Sequence, residues 1–485
     1  MFKNLHFLLL FLIGEGACSA QNVNLNDALT VANQLIVEKT VGSGTEILSH
    51  NNITSKSGTL LAYAFNLSSS GYIVVCADKD QIPVIAYSFV SAFGDNADFQ
   101  NPLYNLIQVD LENRFNNKSL VSDEQIAKNQ SQWNSILNHT KAKKAFDQWP
   151  AVGSTSTEGW LLTKWNQSAP YNAMCPMDLG SGSRSLTGCP STAMSQIINY
   201  HQTLNNTRFA DSDDYYHNYG SNQFMIDDDY VNYDFPSFPQ LNLYLDTLED
   251  KYNSKSSLTN KDMAALMFAC GVATKTVYSS AGSGTFSVNQ AYAGLLRFGF
   301  SASQLLDTSV ANPYPQIIIN IKDSLPVFLA VVDMAWNTGH NLVIDGYNTD
   351  DYYHLNFGWG GAYDGWYFVP SGLPYSLTVF EGIIVDIKNN PLMNIEANEN
   401  RNKSIDLYPN PASAFTTFRF TPKENDLSVL RIFDCFGKMV WEQQITTELG
   451  KEEILRIDLR NFSQGIYTII IANQSEKITG KLIKL

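Results

Sequence analysis

The sequence is poor in charge, poorer in positive charge, and lacks any long apolar run. Charged residues make up only 16% of the chain against 44% hydrophobic residues, a balance that excludes a disordered tail or a coiled coil. Lys and Arg total 32 against 47 Asp and Glu, and the resulting net charge of −15 repels both a phosphate backbone and an anionic lipid surface. Nucleic acid is therefore not an expected partner. The apolar run from Phe7 to Ile13 falls far short of the roughly 20 residues that span a bilayer. Cysteines are few and form no CxxC pair, which removes support for a zinc site and for a dense disulfide framework. No metal and no cofactor is expected.

What is present begins with an address. Lys3 and His6 precede the apolar run, and Ala17-Cys18-Ser19-Ala20 supplies the small side chains that a signal peptidase reads, so residues 1–20 are read as a signal peptide. At about 150 residues per domain, a chain of 485 residues suggests about three domains. The first, 21–150, mixes a helix at Leu25–Glu38 with strands at Leu60–Phe65 and Gly71–Ala77. It ends in a polar, helix-like stretch at 122–144 that reads as a connector, and Pro150–Glu158 reads as an exposed link. The second and largest, 151–390, carries helices in its first half, at Ser191–Gln202 and Lys261–Val272, and short strands from Val327 onward. That is an α+β layout. A polar linker at 391–403 leads to 404–485, whose short turn-separated strands fit a small β-sandwich.

Without the signal, Cys76, Cys175, Cys189, Cys270 and Cys435 remain, an odd number that leaves at least one thiol unpaired in an oxidising compartment. Cys76 and Cys270 sit in apolar runs and fit simple packing. Cys189 is different. Pro190 suits the first position of a helix, which puts Cys189 at the N-cap, while Ala193, Met194, Ile197 and Ile198 fall on one buried face. The positive end of the helix dipole there favours thiolate, the nucleophilic form.

A thiolate nucleophile needs a base, and His340 is the candidate, at the head of the strand that runs to Asp345. A second strand, Tyr352–Phe357, returns after a polar turn, and folding the hairpin about Asn348 sets Asn356 opposite His340. An Asn amide oxygen in that place accepts the imidazole N–H, as in Cys-His-Asn enzymes. His340 and Asn356 lie 151 and 167 residues after Cys189, close to the spacing of that class. Gln167 offers an amide that completes an oxyanion hole with the Cys189 main chain, and Trp359 offers an indole to shield the base.

These segments together resemble the streptopain-type cysteine peptidases, papain-like enzymes of bacteria. The carriers are Trp-Asn-Gln-Ser-Ala-Pro-Tyr-Asn at 165–172, Thr-Gly-Cys-Pro-Ser-Thr-Ala-Met-Ser-Gln-Ile at 187–197, Gly-His-Asn-Leu-Val-Ile-Asp-Gly at 339–346 and Tyr-His-Leu-Asn-Phe-Gly-Trp-Gly-Gly at 353–361. The resemblance implies a papain-like peptidase domain of α+β class with Cys189 as nucleophile, His340 as general base, Asn356 orienting the base and Gln167 as oxyanion donor. It also implies substrate contacts at Ser283, in the glycine-serine loop Ser279–Thr285, and at the Gly339 main chain. Relatives carry Trp where this chain has Phe357, and Pro190 is a second variation.

The segments at 71–78 and 82–88 resemble the family's inhibitory prodomain, which implies a zymogen cut near Ala145–Glu158. Residues 404–485 resemble Bacteroidetes-type sorting domains, carried by Ile-Asp-Leu-Tyr-Pro-Asn-Pro-Ala-Ser at 405–413, Ile-Phe-Asp-Cys-Phe-Gly-Lys at 432–438 and Gly-Ile-Tyr-Thr-Ile at 465–469. The implied partners are protein or peptide substrates, the chain's own prodomain and the outer-membrane secretion machinery. The expected location is the cell surface or the medium. The competing readings are a catalytically silent surface binding protein on the same fold, for which Phe357 is the one pointer, and an acyl transferase using the same dyad.

Overall fold

A computed structural model describes residues 22–388 and 406–485, apart from 41–43, 69, 94–101, 117, 119–120, 141–145, 221, 308, 311, 333–338, 370–378, 421–425, 435–437, 449 and 473–476. The proposed signal peptide and linker, Cys18 and Cys435 lie outside the described residues. The chain forms two compact units, Met1–Asn390 and Pro391–Leu485.

The first unit is organised by one eleven-stranded antiparallel sheet. Four strands of the amino-terminal segment, Ile47–Thr54, Leu60–Leu67, Tyr72–Cys76 and Val84–Ser88, form one half. The sheet then crosses directly into Gly365–Phe368, where Trp366 pairs with Tyr87 and Tyr367 with Ala86. From there it continues through Tyr352–Asn356, Gly339–Asn348, Val327–Val332, Val379–Val385 and Gln304–Asp307. Gln148–Trp149 pairs with the far end of Gly339–Asn348.

Alternation along the central strands feeds two cores. Leu329, Val331, Leu342 and Ile344 face a cluster that also holds Val74, Tyr72 and Trp366, so the amino-terminal segment and the peptidase strands share one continuous apolar interior. Phe328, Ala330 and Val343 face a second cluster, built from the helices Cys189–His201, Phe238–Ser254, Asn260–Ala273 and Val288–Arg297. A strand buried on both faces reads as a nearly unbroken apolar run, as Val-Phe-Leu-Ala-Val-Val at 327–332 does.

Two local expectations are corrected. The polar stretch after Ser122 is not a mere connector: its helix, Asp123–Leu137, buries Trp133 completely, with the indole N–H donating to the Gln81 carbonyl at 2.9 Å. Asn129 donates to the Asp80 carbonyl at 2.7 Å from the same face. Trp133, with Ile136 and Leu137 packed beside it, seats a largely polar helix. The passage 150–158 is exposed only in part: residues 151–154 are exposed, but the chain sinks at Thr157. There Trp160 N–H donates to the Asp345 carbonyl at 2.8 Å and Leu161 N–H to the Asp345 carboxylate at 2.9 Å.

The second unit carries a three-stranded and a four-stranded sheet, ordered Asp406–Tyr408, Phe415–Phe420, Glu453–Asp458 and Met439–Thr447, Asp426–Phe433, Gly465–Ala472, Lys477–Lys484. Phe418, Leu430, Ile432, Ile457, Tyr467, Ile469 and Leu482 fill its own small core, giving a β-sandwich.

Replacing Trp133 by Ala should cost about 3–5 kcal/mol of stability, as for other large buried aromatics. Chemical denaturation of the full chain, followed by tryptophan fluorescence and circular dichroism, checks this. A midpoint unchanged from the parent protein would return the helix to a connector role.

Candidate active site

The helix that presents Cys189 begins one residue earlier than the sequence suggested. Gly188, not Cys189, is the N-cap, with φ of +86°, and Cys189 and Pro190 form the first turn. A side chain at residue 188 would also press on the main chain of Ser283, 3.1 Å from where its Cβ would stand. Glycine is thus favoured by conformation and also by space. Thr192 reinforces the start by donating its hydroxyl to the Gly188 carbonyl at 3.0 Å. Residues 190–198 are buried on every side, so the nucleophile helix is a core element and Cys189 stands half-buried at its rim. The amide of Cys189, in the first turn, has no acceptor within the helix.

Burial alone raises a thiol, and the three other described cysteines show it: Cys76 is pushed up to about 12, and Cys175 and Cys270 are also raised. At Cys189 burial pulls the same way, yet the hydrogen bond and charge of His340, helped by Asn341, outweigh it and hold this thiol below its ordinary value.

His340 lies on the strand Gly339–Asn348 and is almost fully buried. Its Nε2 is 2.9 Å from the Phe357 carbonyl. A carbonyl only accepts, so Nε2 carries the proton in this contact and Nδ1 is left for the thiol. Trp359 stands edge-on to the imidazole at 5.8 Å between centroids, and Phe357 lies nearly parallel to it at 6.1 Å. Shielding of the base thus comes from both rings.

The expected contact between Asn356 and His340 is absent. Asn356 pairs across the hairpin with Val343, while His340 pairs with Val331 on the other neighbouring strand. The hairpin turns beyond Asn348, whose buried amide oxygen accepts from Asp350 and Tyr352, and a bulge between Ile344 and Gly346 recovers only one residue of that displacement. The Asn356 amide oxygen is instead filled by Gln196 Nε2 and the Gly358 N–H, both at 3.0 Å, and its Nδ2 donates to the Thr163 carbonyl at 3.1 Å. With both oxygen lone pairs occupied, it has none for an imidazole.

Gln196, fully buried on the nucleophile helix, is the residue that sequence reasoning missed. Its amide oxygen accepts from the Thr163 hydroxyl at 2.8 Å and the Trp165 N–H at 3.4 Å, tying the helix to the segment that leads into Gln167. A glutamine set among Met194, Ile197 and Ile198 was the available signal. Gln167 is half-buried, and its carbonyl accepts from Thr187 N–H at 3.0 Å, which sets it beside the approach to Cys189. Ser283 spends its hydroxyl inside its own loop, donating to the Ser279 carbonyl at 3.0 Å and accepting from Ser279 N–H at 2.9 Å. The Ser283 main chain, rather than its hydroxyl, is what borders Gly188. Gly339 is exposed at the head of its strand. Among the described residues no group of three His, Cys, Asp or Glu is placed to hold a metal ion.

Beneath the base lies a buried ionisable cluster. Asp364 accepts from Phe357 N–H at 2.9 Å, and His354 Nδ1 pairs with Asp345 at 2.6 Å. Glu158 reaches from this cluster to the amino-terminal segment, accepting from the Ser88 hydroxyl at 2.8 Å and Phe89 N–H at 3.3 Å. Tyr363 N–H donates to the Ala92 carbonyl at 2.9 Å nearby. Burial pushes Asp364 up to about 7, against the opposing pull of Phe357 N–H and His354. Its neutral form is therefore favoured in the folded state. The associated stabilisation is complete below the unfolded carboxyl value, about 4, and is lost as pH climbs through about 7. Asp364→Asn keeps the acceptor and removes the charge, so it should raise the melting temperature at pH 8 and change it little at pH 4. An equal change at both pH values would contradict this account.

Comparison with known proteins agrees with this architecture. Residues 165–367 match the Peptidase C10 family, residues 20–113 the Spi protease inhibitor and residues 406–485 the secretion system C-terminal sorting domain. Streptopain of Streptococcus pyogenes is 26% identical over 322 residues, covering 63% of this chain and 73% of that protein. The thiol protease/hemagglutinin PrtT of Porphyromonas gingivalis is 27% identical over 228 residues, 44% of this chain and 24% of its own length. Among solved structures, a prointerpain A fragment of Prevotella intermedia aligns over 71% of this chain and all of its own, with 21% identity and a TM-score of 0.47. Active interpain A aligns over 48% and 94%, with 26% identity and a TM-score of 0.36. The sorting domain marks the chain for type IX export to the cell surface or extracellular space. Residues 165–367 are a Peptidase C10, streptopain-like domain, and with the Spi-type inhibitory segment before it and the sorting domain after it the protein is a cysteine peptidase zymogen.

Proposed function

We propose that this peptidase is an endopeptidase working through a Cys189–His340 dyad and an acyl-enzyme. The observation that carries this is the contrast among the described cysteines: Cys189 alone is drawn toward thiolate, at a helix start and beside an imidazole. The thiolate attacks the scissile carbonyl carbon, forming a C–S bond while the carbonyl electrons move to oxygen. The Cys189 amide and the Gln167 side chain receive that oxyanion. His340 Nδ1 gives its proton to the leaving amine as the C–N bond breaks, then takes one from the water whose oxygen adds to the acyl carbon, and cleavage of the C–S bond releases the acid and restores the thiolate. The Phe357 carbonyl, anchored through Asp364, orients the ring in the place first assigned to Asn356, whose part is to hold the strand to the nucleophile helix through Gln196. Ser283 and Gly339 contribute main-chain contacts to substrate.

The amino-terminal segment is the restraint in this reading. It adds its sheet edge to Gly365–Phe368 and grips Glu158 and Tyr363, so cleavage in the exposed part of 145–158 would free the peptidase half with Glu158 retained. Polypeptides, the prodomain and the outer-membrane export machinery are its partners.

In purified mature protein, Cys189→Ala should abolish casein hydrolysis and labelling by an electrophilic thiol probe. Gln167→Ala should lower kcat by about 10²–10³ with labelling preserved, the usual loss for one oxyanion donor. Hydrolysis that persists in Cys189→Ala would overturn the assignment. Labelling of the parent without hydrolysis of any peptide would favour the silent binding protein.

A further inference from the structure

Asn341 follows the base directly and plays no part in the scheme above, yet its side-chain Nδ2 is 3.5 Å from Cys189 Sγ. The two groups come from distant parts of the chain, the head of a central strand and the start of a buried helix. Asn341 is half-buried, pairs through its main chain with Ala330, and lies on the face of the strand that Val343 turns toward the nucleophile helix. His340, its neighbour, lies on the alternate face with Leu342. The sulfur thus sits at the strand's end within the influence of both residues, an imidazole and a neutral amide.

An amide N–H is a donor that a thiolate accepts strongly and a thiol weakly. We infer that Asn341 is a positioning residue for the nucleophile, holding the Cys189 thiolate by a second hydrogen bond that is independent of the imidazole proton. The inference rests on Cys189 being the nucleophile. Its consequence is distinctive, because the bond remains when His340 loses its proton. Asn341 holds the sulfur anion oriented before it attacks, and receives it again when the C–S bond breaks, whatever the charge on the ring. It also makes the anion less basic and so less nucleophilic, since thiolate reactivity falls as the thiol's pKa falls, with a Brønsted coefficient of about 0.4–0.5.

These two effects oppose each other across the pH range, which gives the test a sign. Asn341→Ala and Asn341→Asp are made in the full chain, with folding verified by thermal melting, and the rate of iodoacetamide alkylation of Cys189 is followed from pH 4 to 10. Loss of the donor should move the acid limb of the Asn341→Ala profile to higher pH. For each unit of movement the thiolate fraction at low pH falls about tenfold, while the intrinsic rate of the remaining thiolate rises about threefold, so the net rate drops about threefold. On the alkaline plateau the variant should exceed the parent by about the same threefold. The two profiles cross. Asn341→Asp, with a carboxylate against the sulfur, should move the limb further in the same direction.

A merely structural role lowers the rate by one factor at every pH, without crossing. Superimposable profiles, or a uniform loss in both variants, would overturn the inference while leaving Cys189 as nucleophile. Absence of labelling at Cys189 in the parent protein would instead overturn the nucleophile assignment on which it rests.

Discussion

The active site depends on one tight junction, the meeting of Gly188 with the main chain of Ser283. A left-handed φ and a gap that would crowd a Cβ coincide at this residue. Together they set the point at which an extended segment becomes a helix and hence the direction of the first side chain on it. The helix behind that point is buried all round, which leaves Cys189 little freedom to wander. A rigid helix start supplies a fixed sulfur, a dipole that favours its anion, and an amide pointing out of the helix. The remaining groups need only be delivered to that point, and a strand, a turn and two loops deliver them.

Electrostatics at the site works by opposition. Burial resists charge everywhere in the interior, and the other described cysteines stay protonated because of it. Cys189 escapes through two donors from one strand, His340 and Asn341. The same opposition appears below the base, where Asp364 keeps a carboxyl in an apolar setting to accept the Phe357 N–H. The carbonyl of the same residue, in the next peptide group, receives the imidazole proton. The main chain of one residue, Phe357, therefore lies between the imidazole and a buried acid.

The zymogen is a joined body rather than a peptidase with a cap. The prodomain strands extend the peptidase sheet, and the shared apolar cluster runs through both halves. Arg114, buried and paired with Asp110, also donates to the Phe368 carbonyl across the junction. Removing such a partner uncovers apolar surface and unpaired strand edge together, so latency and folding rest on the same contacts. Glu158 sits where the two halves meet, half-buried and raised by desolvation, with its hydrogen-bond donors Ser88 and Phe89 contributed by the prodomain.

Much of this was legible along the chain because the signals are local. A proline after a cysteine marks a helix start, alternating and continuous apolar runs mark strands, and short motifs mark a family, so the helix start at Cys189, the strand headed by His340, the α+β class and the sorting module were all readable. Register was not readable, because it depends on where a turn and a bulge fall. Asn348 caps its turn with its own side chain, moving the hairpin's centre and leaving Asn356 opposite Val343. Nor did sequence reveal that Trp133 seats a polar helix, that Gln196 ties three segments, or that Asn341 meets the sulfur. Residue order determined which groups the protein possesses and which helix and strand carry them. Only tertiary structure decided which atoms touch, since contacts between distant segments are fixed by packing and by the exhaustion of each polar atom's bonding capacity.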